Sequence, residues 1–212
     1  MPAKNQDLHG NAPDSSSVAL LVIDMINDLE WEGGDALLPH AVAAARRVAS
    51  LKACARDAGV PVIYANDNFG RWRSDFREVV EHCLNDGVRG EPLARSLRPE
   101  SDDYFVLKPK HSAFFATTLD TLLTYLGVRR LVLTGVTGDR CVIITAMDAF
   151  LRDYDLHVPG DCTASCDPKE NGAVLAYMKR VLHADTGNAD EVDLEELSKR
   201  PTGKSEGQEP LT

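Results

Sequence analysis

The chain has 212 residues and a formal net charge of −10 at pH 7. Its hydrophobic fraction of 43% is ordinary for a globular protein, and its length suits one α/β domain with a substantial core. The negative charge argues against a nucleic-acid partner, because binding to phosphates requires clustered Lys and Arg.

The start of the chain and its cysteines indicate the compartment. Residues 1–17 are polar and lack the apolar core of a secretory signal, and no apolar run is long enough to span a membrane. The five cysteines are odd in number and lack metal-finger spacing, which favours a reducing compartment over a disulfide scaffold. We therefore expect a cytoplasmic protein without a membrane partner.

Stretches typical of strands and of helices alternate along the chain. The predicted strands are residues 19–24, 61–66, 104–108, 130–135 and 155–161, with 186–192 as a short last strand. The predicted helices are residues 41–58, 76–86, 118–126, 141–153 and 168–183. This alternation predicts a three-layer α/β/α fold of the Rossmann-like kind, with a central, mainly parallel sheet.

The two ends of the chain differ in composition from its middle. They are rich in Ser, Pro, Gly and charged residues, which is typical of mobile tails. The sequence therefore predicts a mobile N-terminal tail over 1–17, one folded domain over 18–197 and a mobile C-terminal tail over 198–212.

Three potentially reactive side chains lie at, or just past, the carboxyl ends of predicted strands. They are Asp24, Lys108 and Cys141. Taken singly, the first fits a polar strand terminus, the second a surface lysine and the third a small apolar filler. Because ligands of open parallel sheets bind beyond the carboxyl ends of the strands, we expect the three to converge in one site.

Cys141 stands where an apolar strand turns into a helix. Val142, Ala146 and Ala149 fall on one face of that helix. The N-terminus of a helix carries partial positive charge and free N–H groups, so it favours a thiolate and can hold an oxyanion. We therefore expect a depressed pKa for Cys141 and fast alkylation near neutral pH.

Three segments, in this order, carry a resemblance to a known family. Residues 20–28 read Leu-Leu-Val-Ile-Asp-Met-Ile-Asn-Asp, residues 105–114 read Phe-Val-Leu-Lys-Pro-Lys-His-Ser-Ala-Phe, and residues 135–142 read Gly-Val-Thr-Gly-Asp-Arg-Cys-Val. They resemble the isochorismatase-like cysteine hydrolases, which include nicotinamidase and N-carbamoylsarcosine amidohydrolase. The resemblance extends over nearly the whole chain.

The resemblance and the chemistry of a thiol together suggest roles for these residues. An ordinary thiol has a pKa of about 8.5, so at neutral pH it needs a proton acceptor or a positive field. We expect Asp24 to accept the proton of Cys141, and Lys108 to balance the charges. The resemblance further implies a cis peptide between Val136 and Thr137, and an oxyanion hole made by the N–H groups of Thr137 and Cys141.

The expected function is hydrolysis of a non-peptide C–N bond in a small amide or carbamoyl compound. The thiol would attack a carbonyl, release ammonia or an amine, and form an acyl thioester that water hydrolyses. One alternative is vinyl-ether cleavage of the isochorismatase type, although true isochorismatases generally lack the nucleophilic cysteine. The other is a redox-responsive or ligand-binding protein in which Cys141 is oxidised. We expect a small-molecule substrate and a homo-oligomer, either a dimer or a tetramer.

One departure from the family pattern concerns metal. Nicotinamidases of this superfamily carry an Asp-x-His pair after the second strand, with further histidines nearby. The matching residues here are Asp67, Asn68 and Phe69, so a phenylalanine replaces the histidine. One carboxylate does not make a metal site. We therefore expect no metal and no other cofactor, and nicotinamide is not favoured as substrate.

Several further residues are candidates for contact with substrate. Aromatic and Arg side chains after the second strand would suit a planar or anionic substrate, although residues 67–76 could equally pack on the domain or on a second subunit. His111 is close to Lys108 in sequence, but its side chain could equally face solvent. The candidate substrate-binding residues are Leu29, Phe69, Trp72, Phe114 and Val136.

Overall fold

The computed structural model describes residues 15–69 and 75–199. Its strands are β1 (Val18–Ile23), β2 (Val62–Asp67), β3 (Tyr104–Lys108), β4 (Arg130–Val136), β5 (Asp155–His157) and β6 (Thr163–Ala164). Its α-helices are α1 (Gly34–Asp57), α2 (Phe76–Asn85), α3 (Glu91–Ser96), α4 (Leu119–Leu126), α5 (Ile143–Phe150), α6 (Pro168–Val181) and α7 (Leu194–Lys199). A π-helical turn, Gly138–Val142, precedes α5.

The strands form one parallel sheet in the order β3-β2-β1-β4-β5, and β6 pairs with the end of β4. Strands β2 and β3 follow on one side of β1, and strands β4 and β5 follow on its other side. The direction of the strand order therefore reverses between β1 and β4, and ligands in folds of this kind bind beyond the carboxyl ends of the strands at such a point. The predicted α/β/α architecture is confirmed.

Burial on both faces explains the apolar sequences of the central strands. All six residues of β1 are buried, and they alternate between two hydrophobic cores. One core lies between the sheet and α1, α2, α3 and α7, and the other between the sheet and α4, α5 and α6. The predicted apolar face of the helix after Cys141 is confirmed, since Val142, Ala146 and Ala149 are fully buried.

The predicted strand over 186–192 is wrong. This segment contains a 3₁₀ turn, Ala189–Glu191, closed by a capping box. The Asn188 side chain accepts from the backbone of Glu191, and the Glu191 side chain accepts from the backbone of Asn188. These local bonds satisfy backbone groups that a strand would have paired with its neighbour.

Strand β5 and helix α1 have bounds that differ from the predicted ones. Strand β5 ends at His157 instead of 161, because Pro159 has no N–H group to offer a ladder. Helix α1 begins at Gly34 rather than 41, which adds the buried Leu37 to its apolar face. The short helix α3 was not predicted at all.

The ends predicted as mobile tails lie largely outside the described residues, which begin at 15 and end at 199, so that prediction and the domain bounds stay predictions. At the described edges, the Ser17 hydroxyl donates to the Ser198 carbonyl oxygen at 3.0 Å. None of the helices described is both long and apolar enough to cross a membrane.

Candidate active site

Asp24 follows β1 directly and bends the chain there. Its φ of 52° is in the left-handed region, which Asp tolerates better than most residues. Its N–H donates to the Ala65 carbonyl oxygen at 3.0 Å, and its Oδ1 accepts from the Asp67 N–H at 2.7 Å. The carboxylate is therefore fixed against the end of β2, with a side chain that is 6% exposed.

Lys108 ends β3 and is fully buried. Its Nζ lies 2.7 Å from Asp24 Oδ2 and 3.8 Å from Asp67 Oδ2, and it donates to the Lys110 carbonyl oxygen at 3.3 Å. Because β2 separates β3 from β1, the long lysine side chain crosses the end of β2 to reach Asp24. The lysine predicted as a candidate is thus not on the surface.

Cys141 lies in the π-helical turn between β4 and α5, and its side chain is partly exposed. Its Sγ lies 3.5 Å from Lys108 Nζ, which in turn lies 2.7 Å from Asp24 Oδ2. The peptide bond between Val136 and Thr137, just before the turn, is cis. The three residues expected to converge therefore do meet beyond the sheet edge.

Two glycines allow the turn that carries Cys141 to pack closely. Gly135 has a φ of 119°, and a Cβ placed there would meet the Ile23 carbonyl oxygen at 2.0 Å. A Cβ on Gly138 would meet Asn171 Oδ1 at 2.0 Å. The absence of side chains at these positions lets the end of β4 lie against β1, and lets the turn lie against α6.

Burial and mutual charge set the protonation of the site. Desolvation raises the pKa of Asp24, although Lys108 opposes that rise. Burial alone would lower the pKa of Lys108, but Asp24, Cys141 and Asp67 together raise it above its ordinary value. The lysine is therefore a stable cation between two carboxylates.

The expected depression of the Cys141 pKa is wrong. Burial, with the negative charge of Asp24 second, raises the pKa of the Cys141 thiol to about 12, and Lys108 only partly opposes this. A helix N-terminus stabilises a thiolate by at most about 2 kcal/mol, which desolvation beside a carboxylate outweighs. The thiol is thus protonated at neutral pH and must give up its proton when it attacks.

His111 is a residue of the site that sequence reasoning did not select. Its Nδ1 lies 3.5 Å from Cys141 Sγ, on the exposed side of the thiol. The only signal in the sequence was its position three residues after Lys108, which does not fix where a loop side chain points.

The candidate substrate-binding residues are spread over different environments. Leu29 and Val136 are buried in the core beside α1, and Phe114 is buried in the opposite core. Phe69, with a left-handed φ of 51°, is 40% exposed after the end of β2. Trp72 lies outside the described residues. Contact of these residues with a substrate stays a prediction.

The segment after β2, which is expected to lack a metal site, has one acidic residue near Lys108. Asp67 Oδ2 approaches Lys108 Nζ, and its Oδ1 accepts from the Phe69 N–H at 2.6 Å. Across residues 15–69 and 75–199, no three His, Cys, Asp or Glu side chains form a group that could hold a metal ion.

Known proteins identify the family of this chain. The Isochorismatase domain family matches residues 18–188, which include Asp24, Lys108 and Cys141. The chain belongs to the isochorismatase family. It is similar to an uncharacterized isochorismatase family protein, YaaI, of Bacillus subtilis, with 39% identity over 174 residues that cover 82% of this chain and 95% of that protein.

Two relatives with known activities by name also match this isochorismatase-family chain. Maleamate amidohydrolase of Pseudomonas putida is 32% identical over 165 residues, covering 72% of this chain and 75% of the relative. The crystal structure of N-carbamoylsarcosine amidase from Thermoplasma acidophilum superimposes with a TM-score of 0.65 and 30% identity, covering 84% of this chain and 99% of that one. The chain is therefore an isochorismatase-family hydrolase.

Proposed function

We propose that the protein hydrolyses a non-peptide C–N bond in a small amide or carbamoyl compound through an acyl thioester on Cys141. The observation that carries this proposal is the convergence of three groups from three strands. Lys108 Nζ lies 2.7 Å from the Asp24 carboxylate and 3.5 Å from Cys141 Sγ. A thiol, a carboxylate and an ammonium at these distances suit nucleophilic acyl transfer.

In the acylation step, the Cys141 sulfur forms a bond to the substrate carbonyl carbon while the thiol proton moves to Asp24. The C–N bond then breaks, and the nitrogen leaves with the proton from Asp24 as ammonia or an amine. The raised pKa of Asp24 suits both transfers, because a more basic carboxylate accepts the thiol proton more readily. Lys108 keeps its charge and stabilises the negative charge that passes between carboxylate and sulfur.

The carbonyl oxygen of the substrate also needs stabilisation as it gains negative charge. We assign this role to the backbone N–H groups of Thr137 and Cys141. Thr137 directly precedes the π-helical turn Gly138–Val142, and Cys141 lies within it. Oriented backbone donors at the beginning of a helix are suited to an oxyanion, and one such donor is commonly worth about 100-fold or more in rate.

The substrate class follows from the relatives and from the residues after β2. The names of two relatives refer to an amide and to a carbamoyl compound, maleamate and N-carbamoylsarcosine. Phe69 occupies the place where nicotinamidases have a metal-binding histidine, so we propose a reaction that proceeds without metal or other cofactor and not on nicotinamide. A small molecule of the maleamate or carbamoyl kind is therefore the proposed substrate.

The alternatives lack a supporting observation of their own. Oxidation of a cysteine depends on thiolate character, and the raised pKa of Cys141 works against a redox sensor. Vinyl-ether cleavage would leave the thiol beside Asp24 and Lys108 without a covalent role.

The proposed setting is a reducing cytoplasm, which the five free cysteines support. A homo-oligomer is also proposed, because Tyr125 and Leu151 expose large apolar side chains that an interface between copies could cover. Analytical ultracentrifugation distinguishes a monomer from a dimer or tetramer.

A screen for released ammonia tests the proposed function. Maleamate, N-carbamoylsarcosine, simple ureas and small amides are incubated with wild type, Cys141→Ala and Cys54→Ala. We expect turnover of at least one compound by wild type and by Cys54→Ala, whose exposed residue lies in α1, and none by Cys141→Ala. Turnover by Cys141→Ala at the wild-type rate would rule out the thioester.

A further inference from the structure

The Cys141 sulfur has polar neighbours on two opposite sides. Lys108 Nζ lies 3.5 Å from it on the buried side and is paired with Asp24, and His111 Nδ1 lies 3.5 Å away on the exposed side. Acylation uses the buried side, since the thiol proton has to reach a base before the sulfur can attack. The acylation step as proposed above does not require the exposed imidazole.

Hydrolysis of the thioester makes a different demand. A water molecule has to reach the acyl carbon and lose a proton as it attacks. The Asp24 carboxylate is less accessible to that water than a group on the solvent side, because its side chain is only 6% exposed. Oδ1 accepts from the Asp67 N–H, and Oδ2 lies 2.7 Å from Lys108 Nζ. A base on the solvent side meets the demand better.

We propose that His111 is the catalytic base of the deacylation step, an inference that rests on the proposed thioester function. The water oxygen forms a bond to the acyl carbon, and one water proton moves to Nδ1 of the His111 imidazole. The C–S bond then breaks with its electron pair on Cys141 Sγ, and the Nδ1 proton moves to that sulfur. The products are a carboxylic acid, or a carbamic acid from a carbamoyl group, and the free thiol.

The backbone on both sides of His111 is held in place. Before it, the Lys110 carbonyl oxygen accepts from Lys108 Nζ at 3.3 Å. After it, the Ser112 hydroxyl donates to the Asp148 carboxylate, and the Ala113 N–H donates to Thr145 Oγ1 at 3.0 Å.

Asp148 and Thr145 belong to α5, the helix that follows the nucleophile. The segment carrying His111 is thus attached both to β3 and to the nucleophile helix. An exposed imidazole anchored in this way can keep a fixed distance from the sulfur.

Burst kinetics with p-nitrophenyl acetate separate deacylation from acylation. This activated ester acetylates the thiol without needing a protonated amine leaving group, so it does not depend on knowing the natural amide. Wild type should release one p-nitrophenolate per active site rapidly and then turn over slowly. His111→Asn should give the same burst and a steady-state rate lower by about 100-fold, the scale of general-base catalysis.

Asn retains a hydrogen-bonding group near the position of Nδ1 but cannot carry the proton. A merely structural contact would therefore be preserved in His111→Asn, whereas base catalysis would not. His111→Gln should show the same kinetic defect. His183→Asn is the matched control, because His183 is exposed at the far end of α6 with a φ of 54°, which Asn tolerates. This control should deacylate like wild type.

Two further readouts complete the test. The acetylated form of His111→Asn should accumulate by intact mass, and neutral hydroxylamine should restore its turnover, since it attacks a thioester without a base. A normal burst followed by wild-type deacylation in His111→Asn would overturn the role of His111 and leave the proposed function standing. Absence of an acetyl group on Cys141 in both wild type and His111→Asn would overturn the thioester function and this inference together.

Discussion

Strand β3 has a buried lysine–aspartate pair at each of its ends. At the carboxyl end, Lys108 Nζ lies 2.7 Å from Asp24, and at the amino end Lys52 Nζ lies 2.6 Å from Asp103. The lysine side chains are 0% and 7% exposed. The two pairs are alike in distance and burial, but their other neighbours differ.

The pair at the amino end is closed to further chemistry. Lys52 Nζ donates to Tyr64 Oη, to the Arg98 carbonyl oxygen and to Asp103, so its three protons are used. Asp103 also accepts from Arg56 Nη1 at 3.2 Å. This cluster joins α1 to the beginning of β3 and is structural.

The pair at the carboxyl end includes a reactive partner. Lys108 Nζ, paired with Asp24, also lies 3.5 Å from the sulfur of Cys141, a partly exposed residue. The contrast shows that a buried ion pair does not itself indicate function. A partly exposed nucleophile beside the pair is the feature that supports the catalytic role proposed for it.

The largest effects should come from neutralising the carboxyl-end pair. We expect Asp24→Asn and Lys108→Met each to lower kcat by about 10³-fold or more, because the thiol loses its proton acceptor or the charge that stabilises it. The double variant should be little worse than either single variant, since the groups act as one unit. Additive losses in ammonia release would show that the two residues do not cooperate.

Lys52→Met is the matched variant at the other end of β3. It leaves Asp103 buried without its main partner, so we expect a loss of about 3–5 kcal/mol in the free energy of unfolding. The kcat of the folded fraction should stay near that of wild type. Urea unfolding and ammonia release, measured on the same sample, separate the effect on stability from the effect on kcat. A large loss of kcat in Lys52→Met without loss of stability would show that the two pairs do not differ in function.

A smaller loss should follow from moving the nucleophile turn. In Gly138→Ala, the new methyl group meets Asn171 Oδ1, and displacement of Cys141 should lower kcat by about 100-fold. Adding Asn171→Ala removes the clashing oxygen and should recover part of the activity. If the double variant Gly138→Ala/Asn171→Ala has a kcat as low as that of Gly138→Ala, the loss has a cause other than this contact.

The pH dependence of alkylation tests the protonation state of Cys141. Because the pKa of this thiol is raised to about 12, the thiolate fraction at pH 7 is small and grows about tenfold per pH unit up to that value. Iodoacetamide should therefore modify Cys141 more slowly than the exposed Cys54 at pH 7, with a rate still rising at pH 10. An alkylation rate that levels off near neutral pH would instead support the depressed pKa that the helix N-terminus predicts for Cys141.

The smallest expected effect is that of a chelator. With Phe69 in place of a histidine, catalysis should rest on side chains and backbone N–H groups alone. Dialysis against EDTA should leave the rate unchanged, and elemental analysis should find far less than one metal ion per chain. A stoichiometric metal whose removal stops turnover would contradict this and would move the protein towards the nicotinamidases.

Much of the fold was predictable because apolar runs and strand–helix alternation are strong signals. The positions of Asp24, Lys108 and Cys141 at strand ends predicted one shared site, since parallel strands bring their carboxyl ends to the same edge. The predicted last strand over 186–192 failed because Asn188 and Glu191 satisfy the backbone locally.

The remaining features depend on three-dimensional surroundings that no sequence pattern specifies. The pKa of Cys141 depends on the burial of the thiol and on the nearby charge of Asp24. The expectation that a helix N-terminus lowers the pKa of a thiol takes neither into account. The contact of His111 with the sulfur depends on the path of a loop held by Ser112 and Thr145.

The central claim is that the Asp24–Lys108 pair activates Cys141 for acylation, whereas Lys52 does not contribute. The burst of p-nitrophenolate, with peptide mass mapping of the acetyl group, measures this directly. We expect one acetyl group per chain, on Cys141, in wild type and Lys52→Met, and a burst slowed by at least about 100-fold in Asp24→Asn. Equal bursts in all three proteins, or an acetyl group on another residue, would contradict the account.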